Sequence, residues 1–155
     1  MSSFTANASP SPQQHPITAG RFWPEIDVSA VREAIRITGD VTPARMRSVV
    51  VGAVMSVTRE LVDYRVAQEK AGHAQLADVP ADQVDGVSQL VQLYRQAVYC
   101  ATAVVLHERY RSYDATAQGN QRADDLTPTI DEIRRDQRNA ISDLLGQRRV
   151  TVELI

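Results

Sequence analysis

Cysteine is nearly absent. Cys100 stands alone, so no disulfide can form within one chain, and nothing suggests an oxidising compartment. Lysine is as scarce: of the 17 basic residues, all but Lys70 are arginine. Excess charge of one sign is missing too. A formal net charge of −2 gives no general attraction to nucleic acid or to a membrane surface. The charge-free apolar run Ala97 to Leu106 falls short of the ~20 apolar residues that cross hydrocarbon. No basic start followed by a hydrophobic run marks a secretory signal. The three histidines, His15, His73 and His107, fall into no HxxxH or HExxH pairing, and there is no CxxC. A Gly-rich phosphate loop and a GxSxG elbow are also missing. These absences point away from an enzyme and from a resident metal or cofactor.

What is present is helical periodicity. From Val87 to Tyr113, Leu90, Leu93/Tyr94, Ala97, Ala101 and Val104/Val105 recur at helical steps, and Val91, Val98 and Leu106 widen the apolar surface. A helix apolar nearly all round must be covered on several sides, so this stretch is expected to be a buried central helix. Small Ala97, Ala101 and Ala103 allow close approach by its neighbours. Cys100 lies in this run and is expected to be an inert core residue. His107 is expected to act as a cation near the helix C-terminus.

The rest of the chain is judged by how it covers that hub. Residues 1–20 are rich in Ser, Thr, Gln and Pro and are expected to form a disordered N-terminal arm. Phe22-Trp23-Pro24 follows, either a plug on the core or an anchor for a partner. Asp27 or Ser29 can cap a short helix carrying Val28, Val31, Ile35 and Ile37, stopped by Gly39. Thr42-Pro43 is a restart, with Thr as N-cap and Pro at the first helical position. Met46, Val49/Val50, Ala53/Val54, Val57, Leu61 and Tyr64 then predict one helix to about Ala71, ended by Gly72. The connector after it holds Asp78, Asp82 and Asp85, with a spacing unlike a calcium loop. Asp85 is expected to cap the central helix. Thr127-Pro128 repeats the restart signal. Ile130, Ile133, Gln137, Ile141 and Leu144/Leu145 then mark one face of a last helix, stopped by Gly146.

After that helix the period changes. In Val150, Thr151, Val152, Glu153, Leu154 and Ile155, alternation and β-branching predict an extended strand. A strand at the end of a helical chain invites addition to a neighbouring molecule. The expected fold is all-α: a small helical bundle over residues 21–147, with the arm 1–20 before it and the strand 148–155 after it.

Two non-enzymatic classes fit. One is a structural or interaction protein, whose candidate interface residues are Phe22, Trp23 and Val150 to Ile155. The other is a DNA-binding regulator, reading a helix-turn-helix over residues 28–60 with Arg45 and Arg47 at the start of its recognition helix. Against the second, that helix is long and apolar and no basic patch accompanies it.

Particular runs carry a resemblance. Phe22-Trp23-Pro24 with Asp27, Leu76-Ala77-Asp78-Val79-Pro80 and Val84-Asp85-Gly86 are among them. So are Leu93-Tyr94-Arg95, Ala97-Val98-Tyr99, Glu108-Arg109-Tyr110-Arg111 and Tyr113-Asp114. Arg134-Arg135-Asp136, Ala140-Ile141-Ser142-Asp143 and Thr151-Val152-Glu153-Leu154-Ile155 complete them. With these, the chain from about Phe22 onward resembles the head completion/stabilisation proteins (product of gene L) of contractile-tailed temperate phages. The resemblance implies a helical connector that docks on the portal protein as a ring matching a twelvefold vertex, once the terminase leaves. It implies retention of packaged DNA, which passes through the pore, and a surface for a tail-side connector or tail completion protein. It also implies a place at the head–tail junction of the virion, after assembly in the host cytoplasm, with no membrane partner and no small-molecule substrate.

Overall fold

The central helix runs from Gln89 to Tyr110 and packs against helices before and after it in the chain. Val91, Tyr94, Ala97, Val98, Ala101, Ala103, Val104 and Leu106 are all buried along it. Burial on several faces is what a helix apolar nearly all round requires. Thr102 is the one fully buried polar side chain among the described residues, and its hydroxyl donates to the Val98 carbonyl at 2.8 Å. The computed structural model describes residues 15–35, 41–110 and 129–147.

In chain order the elements are α1 (Val28–Ala34), α2 (Pro43–Glu60), α3 (Val62–Lys70), a 3-10 turn (Leu76–Asp78), β1 (Gln83–Val84), β2 (Val87–Ser88), α4 (Gln89–Tyr110) and α5 (Ile130–Leu144). The protein is mainly helical with a small two-stranded sheet, which fits the all-α expectation in outline. The C-terminal strand expected over 148–155 lies outside the described residues.

Local chemistry explains most boundaries. Asp27 caps α1, accepting from the Ser29 N–H at 2.9 Å. Thr42 caps α2 with Pro43 in its first turn, as the restart signal predicts. Two helices end in Schellman motifs, in which a residue of positive φ closes the last turn. At the end of α3, Gly72 (φ +96°) is followed by His73, whose N–H donates to the Gln68 carbonyl at 3.0 Å. At the end of α5, Gly146 (φ +67°) is followed by Gln147, donating to Ser142 at 2.8 Å.

Two expectations need correction, and the start of the last helix, left open by the sequence, becomes defined. The helix from Pro43 does not continue unbroken to Ala71: Leu61 (φ −95°, ψ 14°) separates α2 from α3. The Thr58 hydroxyl donates to the carbonyls of Val54 and Met55 at 2.8 and 3.3 Å, back-bonding of a kind that bends helices. Asp85 does not cap α4. It forms a two-residue turn with Gly86, at φ 53° and 70°, between antiparallel β1 and β2. Positive φ at both central residues is the hairpin geometry that Asp-Gly favours. The first turn of α4 is tied instead by the Gln89 N–H to the Asp82 carbonyl at 2.9 Å, and the Gln92 amide donates to Val84. Finally, α5 begins two residues past the Thr127-Pro128 signal, which lies outside the described residues. Thr129 and Glu132 form a reciprocal capping box there, the T-x-x-E pattern of a helix start.

Candidate functional site

The aromatic pair sits in a strap that the chain folds over its own core. The N–H of Ile17 donates to the Ile26 carbonyl at 2.8 Å and the reverse bond closes at 2.9 Å, with Gly20 (φ +74°) in the turn between them. Ile17 and Ile26 are both buried, so packing reaches into the stretch expected to be an arm. Phe22 and Trp23 are 2% and 4% exposed. Their rings meet edge to face with centroids 4.9 Å apart, and Trp23 stacks on Tyr94 at 4.8 Å and 11°. The strap is tied at two further points: the Leu76 N–H donates to the Phe22 carbonyl at 2.9 Å, and Arg47 donates to the His15 carbonyl. In the isolated protomer the pair is therefore a core plug on α4, and neither ring offers a free surface. The other interface candidates, Val150 to Ile155, lie outside the described residues.

The groups with chemical potential do not converge. Asp78 accepts from the Gln75 N–H at 3.1 Å, Asp85 is the hairpin turn, and no three His, Cys, Asp or Glu among the described residues could hold one ion together. Cys100 is half-buried, and burial, reinforced by Asp136, pushes its thiol pKa up, which keeps it protonated. His107 corrects its expectation as a cation. Burial lowers its pKa below the ordinary 6.5, so the structure favours the neutral ring. Arg47 is engaged by the strap, and α2 buries Met46, Val49, Val50, Ala53, Val54 and Val57. A groove reader needs such a helix free, so the geometry gives the helix-turn-helix reading no support.

The feature that periodicity alone misses is the outer face of α2. From Ser48 to Thr58 the sequence has no charged residue, although part of this face meets solvent. Val51 is 36% exposed and Met55 57%, and Val62, beyond the Leu61 break, is 42% exposed. Beside this ridge, an open groove runs between α2 and α5 over α4, walled by Ser48, Gly52 and Ser56, floored by Val105 and bordered by Arg109. The outer face of α5 is the opposite case: Asp131, Glu132, Arg134, Arg135 and Arg138 are all exposed. No helix among the described residues is long and apolar enough to cross a membrane. The signal for the ridge was present in the missing charges of α2, but which valines face outward is a tertiary outcome.

Comparison with protein families places nearly the whole of this body, and the tail beyond it, in one group: residues 17–155 match the family described as phage head completion protein (GPL). The chain belongs to that family. As a head completion protein it is a structural component of the phage virion and not an enzyme. It is similar to the head completion/stabilization protein of Escherichia phage P2, with 42% identity over 134 residues, 86% of this chain and 79% of the phage P2 protein. No solved structure matches the chain.

Proposed function

We propose that the protein completes and stabilises the DNA-filled head by docking on the portal vertex as a ring, where it retains packaged DNA and presents a surface for tail joining. The family membership carries the head role. The charge-free, solvent-facing ridge of α2 supports the step from a head protein to one that works through contacts with other chains, since exposed apolar surface of this kind marks interaction sites. In this reading Phe22 and Trp23 serve docking from inside, by fixing the strap of residues 17–26 against α4. Val150 to Ile155 add as a strand to a neighbouring subunit or to the next component on the tail side. Heterologous contacts that close give cyclic symmetry, the form a portal ring requires.

A quantitative mass-spectrometric count of the chain in purified mature particles tests the proposal. A ring-sized copy number is expected. Absence from mature particles, joined with salt-sensitive binding of the free protein to duplex DNA, would instead identify a packaging subunit that departs with the terminase.

A further inference from the structure

The exposed large hydrophobic residues among the described residues fall on two segments of the chain: Val51, Met55 and Val62 in α2 and at the start of α3, and Val84 in the hairpin, 54% exposed. We propose that these are the two halves of one contact, in which the hairpin of one copy docks on the α2 face of the next. The inference rests on the ring reading above and names its subunit interface.

Charge selects the partner. α2 carries Arg45, Arg47 and Arg59 against Glu60, and Arg109 borders its groove without an ion pair to any described residue. The hairpin side is the complement. Residues 74–92 hold Asp78, Asp82 and Asp85 and no lysine, arginine or histidine, with Val84 between two of the aspartates. An apolar residue flanked by carboxylates thus matches an apolar face on a helix with an excess of arginine, the arrangement that fixes register and excludes like-charged surfaces.

Within one copy the hairpin and the groove beside the α2 face lie toward opposite ends of α4. The hairpin precedes Gln89 at the start of α4, whereas the groove is floored by Ala101 to Arg109. From Gln89 to Val105 the helix advances about 24 Å at ~1.5 Å per residue. The two patches therefore point to head-to-tail contact between copies, which closes into a ring when the rotation per subunit closes. Gly52 supports an approaching chain. Outside its own helix turn a Cβ there would meet nothing within 4 Å, although glycine inside a helix is unfavourable relative to alanine.

The test uses assembled particles. In a Cys100→Ser background, Met55→Cys and Val84→Cys are combined in one chain, and particles are treated with a short bis-maleimide. A ladder of covalent oligomers is expected on a denaturing gel with the double variant and none with either single variant. A ring-sized copy number with no ladder overturns this interface and leaves the ring standing. Dimers from a single variant overturn it as well, because they mean that a patch meets its own copy. A copy number too small for a ring overturns both readings. The second variant, Gly52→Gln, places its Cβ in open space at the groove and is expected to fold at least as stably as the parent while its incorporation into particles is lost. Normal incorporation of Gly52→Gln overturns the proposal.

Discussion

Trp23 shows what a single side chain does here. It is 4% exposed, stacked on Tyr94 and set edge-on to Phe22, so truncation removes a large ring from a packed site and leaves a cavity. Trp23→Ala is expected to cost about 3–5 kcal/mol in chemical denaturation, with loss of the aromatic near-ultraviolet circular dichroism signal. His107 makes a smaller, pH-dependent contribution. Its pKa is lower folded than unfolded, because burial disfavours the charged ring. The unfolded chain therefore takes up the proton first as pH falls. The stabilisation is full above the unfolded value of 6.5 and is lost as pH drops from there through the folded value. Denaturation midpoints across this window should flatten in His107→Asn, apart from the carboxylate-driven loss at lower pH.

At the scale of elements, the caps and turns decide where structure starts and stops. The hairpin depends on the Asp85-Gly86 turn, with Gly86 at φ 70°. A β-branched residue is strained there, so Gly86→Val should lower stability by roughly 1–2 kcal/mol and open the hairpin; faster amide exchange at Val84 and Val87 would report it. This turn was legible, since Asp-Gly between Val84 and Val87 is a strong hairpin signal. An acidic residue near a helix start suggested a cap just as well, and the local sequence did not choose between the two. The capping box at Thr129 and Glu132 was equally written in the sequence, but the Thr-Pro pair two residues earlier gave a competing start. The break at Leu61 had no such signal. Apolar spacing runs straight through it, and the local feature that accompanies it is the Thr58 hydroxyl bonded to the carbonyls behind it.

For the whole molecule, α4 is the shared surface of α2 and α5, and the chain ends leave that body to work elsewhere. If residues 150–155 join subunits, a chain ending at Arg149 should fold with an unchanged thermal midpoint, because the core among the described residues ends at Leu144. It should nevertheless fail to complete heads, measured as DNA-filled particles that lose their genome or do not join tails. Normal tail joining by the truncated chain would remove the strand from the mechanism. Changes at the Val51–Met55 ridge should behave alike, sparing the protomer and impairing assembly.

The sequence by itself determined the hub, the apolar faces of α2 and α5, the caps at Asp27 and Thr42, and the glycine stops at Gly72 and Gly146. Each depends on residues within a turn or two of one another, where spacing and side-chain chemistry act directly on the backbone. It also determined the lack of a catalytic constellation in its motifs, and the runs that mark the family. Only the tertiary structure decided that Phe22 and Trp23 are inside, that burial lowers the His107 pKa, and that Val51 and Met55 are left outside while Val49 and Val50 are covered. Burial is set by what arrives from distant parts of the chain: Trp23 is covered because Tyr94 lies beneath it, and Met55 is bare because no described element crosses that side of α2.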